Sequence, residues 1–202
     1  MSEKGQSGRK KSEKSKIRTF IAVKLPDHVI RKLAELQLDL KKYGLRVKWS
    51  RPENIHLTLK FLGDISPDDV GPVCRVVNDA VKGFTPILLY TAGVGFFSGI
   101  RRPRVLWTGI SGQLALLEKL HHAIDAVLGS LGFDKDDRRF TGHLTLGRFK
   151  GQPAPESLIN MMKMYKDMAS DGFLVDAVSV YKSDLKPSGP IYTNLSSIQL
   201  GQ

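Results

Sequence analysis

The chain has 202 residues, 41% hydrophobic and 25% charged, which suits one large soluble domain or two small intimate lobes. Its formal charge of +11, of which residues 1–16 carry +4, favours a polyanionic partner, nucleic acid being the commonest. No apolar run approaches the ~20 residues that span a bilayer, so neither a membrane helix nor a signal peptide is expected. The single cysteine, Cys74, excludes an intrachain disulfide and fits a reducing, cytoplasmic setting.

Residues 1–16 are almost devoid of apolar side chains and are expected to form a disordered basic tail ahead of a single bilobal domain over 17–202. Thr19 to Val23 is a β-rich run ended by Pro26. Asp27 is a candidate cap for a helix whose apolar positions Ile30, Leu33, Leu36, Leu40 and Tyr43 recur every three or four residues, closed by Gly44. A short strand at Val47 to Trp49 and a turn at Pro52 to Asn54 lead into a strand from His56 to Phe61. Ser66-Pro67-Asp68-Asp69 starts a second helix, which runs to about Lys82, and Pro86 to Phe97 reads as a strand.

The pattern then restarts. Arg104 to Gly109 is a strand, and Leu114 to Leu131 a helix with Leu117, Leu120, Ile124, Val127 and Leu131 as its stripe. A strand from His143, a helix from about Pro155 to Met168 and a strand from Phe173 to Tyr181 complete the second round. Pro187 to Pro190 turns the chain into a last strand near Ile191 to Ile198. Arg18 precedes His56 by 38 residues, and Arg104 precedes His143 by 39. This is an internal repeat, about 17–98 and 103–183, too long in period for a solenoid. It predicts an α+β fold of two pseudo-symmetric lobes, antiparallel sheets facing each other across a central cleft and helices outside.

The repeat is sharpest at His56-Leu57-Thr58-Leu59 and His143-Leu144-Thr145-Leu146. Strand alternation puts His and Thr on one face and both leucines on the other. Two imidazoles can divide the work of general acid and general base near neutral pH, and the two hydroxyls can donate to the oxygens of a phosphate. Arg148 would add a forked cationic donor, but strict alternation points it away from His143 unless a twist or bulge intervenes at Gly147. Lys60 shares the parity of Thr58 and, near a strand end, is expected in solvent. His28, His121 and His122 are read as structural or surface residues, and no cluster has metal-ligand spacing.

The pair of H-L-T-L motifs resembles the signature of the 2H phosphoesterase superfamily. Residues 17–200 resemble its RNA 2′,3′-cyclic phosphodiesterases, once named 2′-5′ RNA ligases. The resemblance is carried by Arg18 to Val23, Trp49 to Gly63, Arg104 to Trp107 and Phe140 to Arg148; where the family usually has Pro before the second histidine, this chain has Gly142. It implies the bilobal fold and hydrolysis of a terminal 2′,3′-cyclic phosphate of RNA to a 2′-phosphate, without metal or other cofactor. It also implies His56 as proton donor, His143 as proton acceptor, and Thr58, Thr145 and Arg148 on the phosphate. The implied partner is RNA with a cyclic phosphate end, tRNA fragments included, and a monomer is expected. The alternatives are a 2′-5′ RNA ligase, a phosphodiesterase on small 2′-5′ or cyclic nucleotides, or a non-catalytic RNA-binding module.

Overall fold

The computed structural model of the protein describes residues 15–137 and 139–202, so the expectation for the basic tail falls almost wholly outside the described residues. The first repeat supplies β1 (Ile17–Lys24), α1 (Asp27–Lys41), β2 (Val47–Trp49), a 3₁₀ turn (Pro52–Asn54), β3 (His56–Ile65), α2 (Val70–Val81) and β4 (Ile87–Phe97). The second supplies β5 (Val105–Gly112), α3 (Leu114–Gly129), β6 (His143–Phe149), α4 (Pro155–Met164), β7 (Phe173–Val175) and β8 (Ala177–Lys186), followed by β9 (Gly189–Gln199).

All pairings between these strands are antiparallel, and they build one curled sheet in the order β7-β4-β5-β6-β3-β1-β8-β9, with β2 laid on β6. Each half of the sheet mixes the two repeats. β4 crosses over to pair with β5, and β8 returns to pair with β1, so each repeat lends its last long strand to the other half. The halves meet at the single pair Leu57↔Leu144, at the heart of the two motifs. The two His-x-Thr strands are therefore immediate neighbours, flanked symmetrically by β1 and β5.

The leucines of both motifs are fully or almost fully buried, in one apolar cluster with Leu33 and Leu40 of α1, Val73 and Val77 of α2, and Leu117 and Ile124 of α3. Helices thus cover the leucine face of the motif strands and leave the histidine face open. Ser66 and Asp69 form the expected capping box ahead of α2. Among the described residues no helix is long and apolar enough to cross a membrane.

Several local expectations need correction. Pro26, not Asp27, occupies the cap position of α1, and Asp27 is its first residue. The buried stripe of α3 ends on Leu128; Val127 is half-buried and Leu131 exposed, because the helix stops at Gly129. The helix from Pro155 stops at Met164, short of Met168. The strand read as Phe173 to Tyr181 breaks at Asp176, where the chain leaves β4 for β1 on the far side of the sheet. Asp176 accepts a backbone hydrogen bond from Leu200 there.

Candidate active site

The two motifs share a departure from regular strand geometry. On β3, Thr58 pairs with Ala22 and Lys60 with Ile21, leaving Leu59 as an extra, unpaired residue. On β6, Thr145 pairs with Trp107 and Gly147 with Leu106, leaving Leu146 extra in the equivalent place. Each bulge inserts one residue and so resets the alternation of faces. Burial follows: Leu57, Leu59 and Lys60 are buried in succession on the helix side, as are Leu144, Leu146 and Gly147. His56, Thr58 and Phe61 then share the open face of β3, and His143, Thr145 and Arg148 that of β6. The bulge that Arg148 requires is present, one residue before Gly147. The same device overturns the expectation for Lys60, which is 3% exposed and points among the helices.

A cleft of about 330 Å³ opens on this face. Its walls include His56, Thr58, Thr145 and Arg148. His143 occupies the same face beside the cleft rather than in its wall, half-buried, with Phe97 edge-on to its ring at 4.7 Å. Four cationic side chains line the cleft, namely Arg18, Lys48, Arg51 and Arg148, and the described lining contains no carboxylate. Such a wall favours an anion. Neither threonine hydroxyl is engaged in a hydrogen bond among the described residues, so both remain available to a ligand.

Each histidine is oriented by the carbonyl two residues before it. His56 Nδ1 donates to Asn54 O at 2.8 Å, and His143 Nδ1 donates to Thr141 O, also at 2.8 Å. A carbonyl can only accept, so both rings hold their proton on Nδ1 and offer Nε2 to a reacting group. His56 is boxed by aromatic rings: Phe20 stacks on it at 4.7 Å and Tyr192 meets it edge-on at 5.2 Å. Burial pushes the His56 pKa below its ordinary value; the Asn54 carbonyl opposes this, and the charge of a protonated His143 adds to it. Burial likewise lowers His143, against the Thr141 carbonyl and together with the Arg148 guanidinium.

The aromatic box lies beyond the reach of sequence periodicity. Phe20, Tyr181 and Tyr192 come from three strands, with Phe20 stacked on Tyr181 at 5.3 Å, and only the pairing Phe20↔Tyr181 shows that they share a face. Among the described residues no group of three or more His, Cys, Asp or Glu side chains is placed to hold a metal ion.

The family model described as LigT like Phosphoesterase matches residues 23–107 and again 110–192. The chain belongs to the LigT-like phosphoesterase family. It is 32% identical over 185 residues to an RNA 2′,3′-cyclic phosphodiesterase of Methanothermobacter thermautotrophicus, covering 92% of this chain and 100% of the relative. A Thermotoga maritima protein of the same name is 33% identical over 184 residues, covering 91% of this chain and 95% of its own. A crystal structure of a Thermus thermophilus protein superposes with a TM-score of 0.75 at 26% identity, covering 92% of this chain and 98% of the other. In this LigT-like chain the two matched segments divide between β5's first and second halves, so each carries one bulged His-x-Thr strand.

Proposed function

We propose that the protein hydrolyses the terminal 2′,3′-cyclic phosphate of RNA to a 2′-phosphomonoester by acid/base catalysis between two histidines, with no cofactor. The observation that carries this reading is that two carbonyl-oriented imidazoles and two uncommitted threonine hydroxyls share one face of neighbouring strands, His56 and both threonines in the wall of a cationic cleft and His143 beside it. The names of the relatives from Methanothermobacter and Thermotoga support the same substrate class.

In this reading the cyclic phosphate sits between the motifs, its non-bridging oxygens accepting from Thr58, Thr145 and Arg148. His143 Nε2 takes a proton from water as the water oxygen bonds to phosphorus. The bond from phosphorus to the 3′-oxygen breaks, and His56 Nε2 delivers a proton to that oxygen. The phosphate stays on the 2′-oxygen, and one imidazolium and one imidazole have exchanged places. Both imidazoles begin below their ordinary pKa, which readies His143 as a base at neutral pH. Before the next turnover His143 returns its proton to solvent and His56 takes one up from solvent, an uptake that the bound phosphodiester anion favours by stabilising the imidazolium.

Phosphorus NMR of a 2′,3′-cyclic mononucleotide incubated with chelator-treated protein tests the proposal. A single 2′-phosphate product is expected. Failure to open the ring, or a predominant 3′-phosphate, would refute it, the latter by reversing the orientation on which the acid and base assignments depend.

A further inference from the structure

The residue that follows each bulge is buried, and in each motif it touches the segment that approaches the other motif's histidine. On β6 this residue is Gly147. A Cβ there would collide with Val47 Cγ1 and stand 2.9 Å from Lys48 O and 3.2 Å from the Trp49 Cα. Its bareness admits β2, the strand that runs into the 3₁₀ turn bearing Asn54, the residue that orients His56. On β3 the equivalent residue is Lys60. Its Nζ donates to Asp125 Oδ1 of α3 at 2.5 Å and to Asp134 O at 2.7 Å, and it lies 3.2 Å from Asp136 Oδ2.

Asp134 and Asp136 begin the stretch that ends at Thr141, the residue that orients His143. The described residues between Phe133 and Gly142 form neither helix nor strand. The turn before His56 is locked by its own backbone hydrogen bonds, Asn54 N to Arg51 O and Ile55 N to Pro52 O, and by Asn54 Nδ2 to Pro190 O. The stretch before His143 is held instead from outside. Lys60 fixes its start, Asp136 N reaches Asp125 Oδ1 at 3.4 Å, and Phe140 near its end stacks on the buried His121 ring at 4.2 Å.

A lysine this deeply buried carries a large desolvation cost unless paired, so its three oxygen partners mark a built feature rather than an incidental surface contact. Asp125 registers the pairing. Burial alone would push its carboxyl up, yet the hydrogen bond and charge of Lys60 hold it below the usual carboxylate range.

We propose that Lys60 is a positioning residue for His143: anchored beside the first motif, it holds residues 134–136 so that the Thr141 carbonyl stays aimed at His143 Nδ1. It touches no substrate. The two motifs thereby brace each other, Gly147 for the approach to His56 and Lys60 for the approach to His143. The catalytic consequence rests on the role proposed above for His143; the orientation itself does not.

The test is the tautomer of each ring, read from long-range proton–nitrogen NMR spectra of the full chain. In Lys60→Met, which keeps the length and removes the charge, His143 should lose its Nδ1–H tautomer and drift to the Nε2–H form that a free imidazole prefers. His56 should keep Nδ1–H. Ring opening should fall about 10- to 100-fold in kcat with little change in KM, the usual scale for a misaimed catalytic group. Should Lys60→Met fail to fold because Asp125 is left unpaired, Asp136→Ala decides. That residue is 48% exposed, and its loss should disturb His143 in the same selective way, more weakly. An unchanged His143 tautomer in the folded variant, or equal disturbance of both histidines, overturns the proposal. A wild-type protein that opens no cyclic phosphate would instead refute the functional reading, and the spectra would still report on the brace.

Discussion

Gly147→Ala is the smallest change that reaches the site from outside it. The backbone at Gly147 is outside the left-handed region, so alanine can adopt it without conformational strain and the cost is steric. The added methyl would meet Val47 Cγ1, which can rotate away, but also Lys48 O at 2.9 Å and the Trp49 Cα at 3.2 Å, which cannot. β2 must therefore move. Overpacking of this kind costs roughly 1–3 kcal/mol. For a chain of this size that corresponds to a fall in Tm of about 2–12 °C. The displaced strand carries the chain toward Ser50 and Asn54, so the carbonyl that orients His56 shifts with it, and kcat should fall by up to ~10²-fold. Gly142→Ala is the matched control. The three nearest atoms to a Cβ there are side-chain ends, Leu117 Cδ2 at 3.3 Å, Leu57 Cδ1 at 3.6 Å and Phe140 Cε1 at 3.7 Å, and the change should cost within about 1 kcal/mol. Differential scanning calorimetry and steady-state hydrolysis of a cyclic mononucleotide measure both effects. A Gly147→Ala protein that melts and turns over like wild type, or a Gly142→Ala protein equally damaged, would refute the bracing of β2 by Gly147.

Two further predictions concern the chemistry. Thr58→Val and Thr145→Val each remove one hydroxyl proposed to donate to the phosphate and should cost ~1–3 kcal/mol in kcat/KM while leaving Tm almost unchanged; large losses of stability with unchanged rates would make the threonines structural. The kcat/KM profile should be bell-shaped, with its optimum on the acid side of neutrality, because both imidazoles are lowered in the free protein. As pH rises, the imidazolium that must donate is lost first; as it falls, the neutral imidazole that must accept is lost. A rate that climbs continuously through pH 8 would contradict this.

The repeat, the element order and the two His-x-Thr strands are legible in the sequence, because each rests on local periodicity and turn chemistry. The bulge that turns Arg148 toward the cleft appears there only as a condition, since strict alternation makes that side chain point the wrong way unless one intervenes. That Leu59 repeats the same bulge in the first motif is not legible, and for that reason the sequence puts Lys60 in solvent. A bulge is a property of a pair of strands, visible only when β1 is laid against β3. The exchange of β4 and β8 between the halves, the break at Asp176 and the aromatic box around His56 are hidden for the same reason. All depend on which distant strands become neighbours, whereas periodicity reports only which face of its own strand a residue occupies.

Single-turnover ring opening by His56→Ala and His143→Ala, with chelator present, tests most directly the claim that two histidines carry the reaction. Each variant should bind substrate nearly as wild type and lose ~10²–10⁴-fold in rate. The double variant should be little slower than either single one, since the pair acts as a unit. Near-normal turnover by either single variant in a folded protein would contradict the account.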